Sequence, residues 1–292
     1  MLTIGVIGDF GVISPDSLRV SRLVKSWNPT VIITTGDNIY SPPTPKNYSS
    51  VVGVLYREYL CAQEKKRTKP GKLLVLRDSE CTELSTLPKK CNTKFLPCVG
   101  NHDYPFPGYM KYFQLPTYYS AEFIKPTDFL KIISLNNYGD LHGRFDDKIS
   151  EQRTWLEKEL DSSAHIKWII ITFHYPQQCS NNSDEENEYY LKRCFPFHKY
   201  KNVALILSGH QHIYERVEFN NVTNVVVGTS GSTVRRKSKV VIEQSKFLDD
   251  SGFGALRLEI GEEEIHGFYY ALEYVDGQHR DVLKDQFCIN KS

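Results

Sequence analysis

Short apolar runs rich in β-branched residues recur along the first two-thirds of the chain, and each breaks off at a glycine or a polar residue. Residues 3–8 run Thr-Ile-Gly-Val-Ile-Gly, residues 31–35 run Val-Ile-Ile-Thr-Thr, and residues 95–99 run Phe-Leu-Pro-Cys-Val. Residues 129–135, 166–173 and 203–207 repeat the pattern. Near-continuous apolar runs of this length predict strands buried on both faces. Between them the period changes. Residues 15–27 place Leu18, Leu23 and Val24 at near-helical spacing behind Ser14, a good cap. Residues 51–60 predict a second helix, and residues 150–160 a third, with Trp155, Leu156 and Leu160 on one side. Strand, loop, helix, strand is the grammar of an α/β sheet. After residue 215 the strands (224–227, 255–260, 265–272) follow one another with shorter turns. The stretch 215–292 is therefore expected to be mostly β, the half of the molecule built on a second sheet. One domain spanning 1–292 is the simplest division. Residues 64–94 are locally basic (Lys65, Lys66, Arg67, Lys69, Lys72, Lys89, Lys90, Lys94) and broken by Pro70-Gly71 and Pro88. They are expected to be a surface insertion, with steering of an anionic substrate as the alternative.

Five of the apolar runs end in residues that bind metals. These are Gly8-Asp9-Phe10-Gly11, Gly36-Asp37-Asn38-Ile39-Tyr40, Gly100-Asn101-His102-Asp103, Phe173-His174-Tyr175-Pro176 and Gly209-His210-Gln211-His212. Ligands of α/β sheets sit beyond the carboxyl ends of the strands. Convergence of the five would bring Asp9, Asp37, Tyr40, Asn101, His174, His210 and His212 into one crevice. One Gly-Asp after a strand is ordinarily a turn, and His174 alone would ordinarily be a core histidine; the five together, in this order, are not explained that way. The donor types divide by charge. A tyrosine ligand needs a strongly acidic metal, since free phenol has a pKa of about 10. Carboxylate, phenolate and imidazole thus suit a trivalent ion, and a neutral amide with two imidazoles suits a divalent one. A shared carboxylate would hold the two roughly 3.5–4 Å apart.

Composition narrows the substrate. The 36 Lys+Arg and 35 Asp+Glu leave a net charge of +1, which argues against a chain whose main task is gripping nucleic acid. A hydrophobic fraction of 40% excludes a disordered chain. No run of about 18 apolar residues predicts a membrane span. The first residues lack a basic region and a cleavage site, so they predict a strand rather than a leader; an intracellular protein, or one whose leader has been removed, would both fit. The seven cysteines contain no C-x-x-C pair, which argues against a zinc ribbon or a thioredoxin-like site. Cys81 with Cys91, and Cys179 with Cys194 around an acidic loop (Asp184-Glu185-Glu186), are spaced for disulfides under a secreted reading. Four N-x-S/T sequons, at Asn47, Asn181, Asn221 and Asn290, lean toward a secreted or lumenal compartment; the alternative is cytoplasmic. Arg235-Arg236-Lys237 is expected at the surface.

The five blocks resemble those of the calcineurin-like metallophosphoesterases, and Asp37-x-x-Tyr40 resembles the purple acid phosphatase group, with His174-Tyr175-Pro176 similar to its small, tartrate-resistant type. The resemblance covers residues 3 to about 260. It implies a four-layer α/β/β/α sandwich of two mixed sheets flanked by helices. It implies Fe(III) on Asp9, Asp37, Tyr40 and His212, and a divalent ion (iron, zinc or manganese) on Asp37, Asn101, His174 and His210, with Asp37 bridging. Asn101 and His102 would contact the phosphate. His102 would be the general acid, and Asp103 would orient it or tune its pKa. Water activated by the metals would hydrolyse a phosphate monoester of a small molecule or phosphoprotein, with an acid pH optimum. The chain departs from the small members after Pro176, where Gln177-Gln178-Cys179-Ser180-Asn181-Asn182 lacks a second histidine, which bears on substrate preference. The alternatives are a phosphodiesterase or nucleotide pyrophosphatase on the same metal pair, and an inactive metal-binding or interaction protein.

Overall fold

The computed structural model describes residues 1–60, 72–76, 94–123, 129–138, 146–193, 195–233 and 240–290. In chain order the elements are β1 (Leu2–Ile7), α1 (Pro15–Ser26), β2 (Val31–Thr34), α2 (Pro45–Tyr56), β3 (Lys72–Leu76), β4 (Phe95–Leu96) and α3 (Pro107–Phe113). There follow β5 (Tyr119–Phe123), β6 (Leu130–Ser134), α4 (Asp146–Ser162), β7 (Trp168–Thr172), α5 (Asp184–Arg193), β8 (Val203–Ser208), β9 (Tyr214–Phe219) and β10 (Val222–Val227). The chain ends in β11 (Ser245–Asp249), β12 (Phe253–Ile260), β13 (Glu264–Val275) and β14 (Gln278–Asn290).

Two mixed sheets face each other, with helices packed on their outer faces. One runs β14-β13-β12-β1-β2-β4, the other β11-β9-β10-β8-β7-β6-β5-β3. β1, β2 and β4 pair in parallel, as do β6, β7, β8 and β10. Parallel strands need crossover helices, which α1, α4 and α5 supply. The buried side chains of Ile4, Val6, Leu256 and Leu258 from one sheet and Leu205, Leu207, Val225 and Val227 from the other join in one apolar cluster. Tyr214 of β9 stacks on Tyr269 of β13 at 3.8 Å. Beside that stack, Arg216 Nε donates to Asp285 Oδ2 at 2.8 Å, so a charge pair is tolerated between the layers because both ends are hydrogen-bonded. Leu156 and Leu160 of α4 close a second apolar cluster on the outer face with Ile169, Ile171 and Phe173.

Helix starts follow local chemistry. Ser14 and Ser17 exchange side-chain and backbone hydrogen bonds at 2.9 and 3.0 Å ahead of α1, with Pro15 at its first position. Thr44 caps α2 by accepting from Asn47 N at 3.2 Å, so that helix begins six residues before the expected residue 51 and ends at Tyr56. The expected acidic loop is instead α5. Ser183 Oγ accepts from Glu186 N while Glu186 accepts from Ser183 N, a capping box.

Two further expectations are corrected. The stretch 215–292 does not form one sheet: β9 to β11 extend the sheet that holds β8, whereas β12 to β14 extend the sheet that holds β1. Cys179 is a free buried thiol, packed with Ile213 and Val226, so the Cys179–Cys194 disulfide is not formed. Within residues 64–94, expected as an insertion, β3 pairs in parallel with β5 at a sheet edge, and most of the stretch lies outside the described residues. Cys81, Cys91, Cys194 and Arg235-Arg236-Lys237 lie outside the described residues. Among the described residues, no helix is long and apolar enough to cross a membrane.

Candidate metal centre

The seven candidate ligands come together where β1, β2, β4, β7 and β8 end. Asp9 (φ 54°), Asp37 (φ 51°) and His210 (φ 67°) all adopt left-handed backbone, which side chains other than glycine rarely do. Such strain persists where the surroundings over-determine it, and it concentrates at functional sites. The flanking glycines explain how the turns pass so close. Gly36 has φ 103°, and a Cβ there would strike the His174 ring; a Cβ on Gly100 would strike the Asp37 carboxylate.

The donor atoms form two adjoining groups. In the first, Tyr40 OH lies 3.2 Å from Asp9 Oδ1 and 3.0 Å from His212 Nε2. His212 Nε2 is 3.3 Å from Asp9 Oδ1. In the second, Asn101 Oδ1 lies 3.0 Å from His174 Nε2 and 3.2 Å from His210 Nδ1. His174 Nε2 is 3.4 Å from Asp37 Oδ1. Ligands held about 2.1 Å from one ion sit roughly 3.0–3.4 Å apart, whether octahedral or tetrahedral. Both groups therefore have the edge lengths of a coordination shell, and their donor chemistry fits one hard and one borderline cation. Ligand atoms of Asp9, Asp37 and His174 lie within 4.8 Å of one another, so the two groups adjoin through the carboxylates.

Backbone groups aim these side chains. Thr35 O lies 2.8 Å from His174 Nδ1 and Thr233 O lies 2.5 Å from His212 Nδ1. A carbonyl only accepts, so each Nδ1 carries a proton and each Nε2 faces the pocket, where its lone pair serves a cation once any proton there has left. His102 N donates to Asp37 Oδ1 at 2.9 Å, and His210 N donates to Asp9 Oδ2 at 3.0 Å. Each carboxylate is thus tied to the loop that supplies another ligand.

The electrostatics show protons where cations belong. Burial pushes the Asp37 carboxyl up, but His174 and His102 outweigh it and hold the group down at about 2. Burial pulls the His174 imidazole down, but Asp37 and then Asp9 outweigh it and raise it to about 9. Burial, then Asp9, then Asp37, push the Tyr40 phenol far above its ordinary range. Without a strong Lewis acid this tyrosine stays neutral.

His102 is not among the converging donors. Its exposed ring lies against Tyr40, 4.5 Å between centroids, at the mouth of the pocket. The hydrogen bonds of Asp103 go to the loop. Its buried carboxylate accepts from Gly100 N at 2.8 Å, Asn38 Nδ2 at 2.9 Å and Tyr48 OH at 2.7 Å. Burial, then Asp37, push it up to about 7 against those bonds. Asp103 thereby fixes the Asn101–Asp103 turn that presents His102.

Several supporting residues were not singled out from the sequence. Asn38 links Thr34, the Cys98 carbonyl and Asp103 at 2.7–2.9 Å. A polar residue inside a motif flanked by buried strands was the available signal. Gln211 bonds instead to the neighbouring loop, donating to Asn182 at 2.7 Å and accepting from Asn181 at 3.0 Å. Glu215, fully buried, accepts from Ser180 N at 2.8 Å. Together Gln211 and Glu215 anchor the divergent loop after Pro176.

Fold and site define a metallophosphoesterase, and the model of the calcineurin-like phosphoesterase family matches residues 2–214. The chain belongs to that family. Purple acid phosphatase 18 of Arabidopsis thaliana is 26% identical over 141 residues, 44% of this chain and 31% of the relative. An uncharacterized protein of Mycobacterium tuberculosis is 26% identical over 192 residues, 57% of this chain and 34% of the relative. The matched stretch thus spans about a third of each of these relatives. Among solved structures, purple acid phosphatase PPD1 of yellow lupin has a TM-score of 0.65 at 16% identity, covering 99% of this chain and 53% of that one. GAP50, described as the anchor in the inner membrane complex of Plasmodium, has a TM-score of 0.71 at 17% identity, covering 100% and 89%. At such identities the structural likeness speaks for the fold alone.

Proposed function

We propose that the chain hydrolyses phosphate monoesters as a purple acid phosphatase. Fe(III) would be held by Asp9, Tyr40 and His212, and a divalent ion (iron, zinc or manganese) by Asn101, His174 and His210, with Asp37 shared. The observation that carries this reading is the pair of donor groups with coordination-shell spacing, one of which contains a half-buried phenol. When bound, the metals supply Lewis acidity that offsets phosphoryl charge and acidifies water.

The chain's own residues do the rest. The left-handed turns at Asp9, Asp37 and His210 fix the carboxylates and imidazole before substrate arrives, which limits reorganisation during reaction. His102, at the mouth and outside both donor groups, is placed to protonate the departing ester oxygen, a contribution of roughly 10²–10⁴-fold. Asp103 holds the turn that presents it. The near-neutral surface favours a small-molecule or phosphoprotein ester over nucleic acid. A secreted or lumenal setting would suit a tyrosine–iron(III) centre.

Aerobic loading with iron, metal analysis and a visible spectrum test the assignment. The expected result is a phenolate-to-iron charge-transfer band that Tyr40→Phe abolishes, with p-nitrophenyl phosphate cleaved faster than its bis ester. A colourless wild-type protein with bound iron overturns the ferric site, and preference for the bis ester returns the phosphodiesterase.

A further inference from the structure

We propose that the open end of the β13–β14 hairpin carries a second, separate site for a zinc-type divalent cation, built from Glu264, His266 and Cys288. Glu264 and His266 are two residues apart on β13 and so face the same way. Their neighbours Ile265 and Gly267 are buried, which turns Glu264 and His266 outward. Cys288 stands directly opposite His266 in the antiparallel ladder, on an exposed position of β14. The three ligand atoms lie within 4.8 Å of one another. His266 Nε2 is 2.9 Å from Glu264 Oε1. Asn290, opposite Glu264 in the same ladder, brings Oδ1 to 3.6 Å from the Cys288 sulfur, so a neutral oxygen borders the cluster as well.

Position separates this cluster from the catalytic pocket. β1 pairs with β12 so that Leu2 meets Ile260 and Val6 meets Leu256. The Ile260 end therefore lies at the start of β1, whereas Asp9 lies beyond its finish. Ile260 pairs with Ile265, so Glu264 and His266 sit at the end of the sheet opposite the pocket.

The donor set selects the ion. Thiolate, imidazole and carboxylate suit zinc and its softer neighbours, whereas magnesium and calcium prefer oxygen alone. Binding moves the Cys288 proton to solvent and needs His266 neutral, so affinity rises with pH. The continuous ladder around His266 supplies the pre-organisation, and a bound ion would clip the two strands together at their free end.

The test uses the full chain, reduced and with its catalytic metals loaded, titrated with cobalt(II) and then zinc. The expected result is one further equivalent per chain with a thiolate-to-cobalt charge-transfer band that zinc removes. Cys288→Ser should abolish the band, and His266→Ala should weaken binding by at least roughly 10–100-fold, the loss that even an outer-shell partner causes. Asp37→Asn should leave the band intact, which separates this site from the pocket whatever the pocket binds. Glu264→Gln, conservative in shape, should weaken binding without altering the melting temperature of the zinc-free chain. The proposal is overturned if the wild type takes up no further equivalent, or if the band persists in Cys288→Ser.

Discussion

The two halves of the pocket reach similar donor spacing by different means. Around Asp9, a neutral phenol is hydrogen-bonded between a carboxylate and an imidazole. Around Asn101, a buried imidazole leans on the Asp37 carboxylate, and two histidines share one amide oxygen. In the first half a phenol proton occupies the place of a cation. In the second, the His174 proton does, held by an imidazole raised to about 9. Metal entry is thus an exchange of protons for cations, and each half should depend on pH and metal type in its own way.

The largest expected effect joins the halves. Asp37→Asn removes the carboxylate proposed to be shared, and hydrolysis should fall by more than about 10⁴-fold with loss of both ions. Metal analysis beside steady-state rates checks this; one ion retained at full occupancy would mean that the halves are independent. His102→Ala should act on neither half. Both metals should remain while kcat falls by roughly 10²–10⁴-fold on alkyl phosphates. The fall should be much smaller on p-nitrophenyl phosphate, whose leaving group departs without a proton. An equal loss on both substrates would remove His102 as the general acid.

The smallest effect concerns the metal-free protein. His174 is raised from 6.5 to about 9 in the folded state, so its contribution is complete below about 6.5 and is lost as pH rises through about 9. Asp103, raised from 3.8 to about 7, acts in the same direction at lower pH. Asp37, lowered to about 2, contributes above 3.8 and loses that only in strong acid. Metal-free melting temperatures should therefore decline from about pH 6.5 to 9. In the loaded protein the decline should flatten or reverse, because the ligands must be deprotonated. Parallel curves with and without metal would remove His174 from the ligand set.

The strand ends were legible in the sequence because a buried run followed by Gly-Asp or Gly-His combines two local signals. Asp9, Asp37 and His210 needed no knowledge of the rest of the chain to be placed at strand ends. Partition of the last third between sheets was not legible. β9 and β13 both mix apolar and polar residues, and what separates them is a long-range contact, Tyr214 against Tyr269, that no local pattern encodes. α2 was placed six residues too late, at 51, although Thr44-Pro45 is a good helix start. Asp103 carries a similar lesson. The family resemblance implied that Asp103 orients His102 or tunes its pKa, whereas its hydrogen bonds go to Gly100, Asn38 and Tyr48.

Gln211 sits between two candidate ligands yet holds Asn181 and Asn182 of a neighbouring loop. That arrangement makes the loop a poor module for transplantation. A graft meant to change the choice of leaving group would also alter how firmly His210 and His212 are seated, unless the incoming loop brought an amide pair of its own. On the proposed function, specificity and metal retention would be written into the same few residues, and any redesign of the pocket rim must treat them as one inheritance.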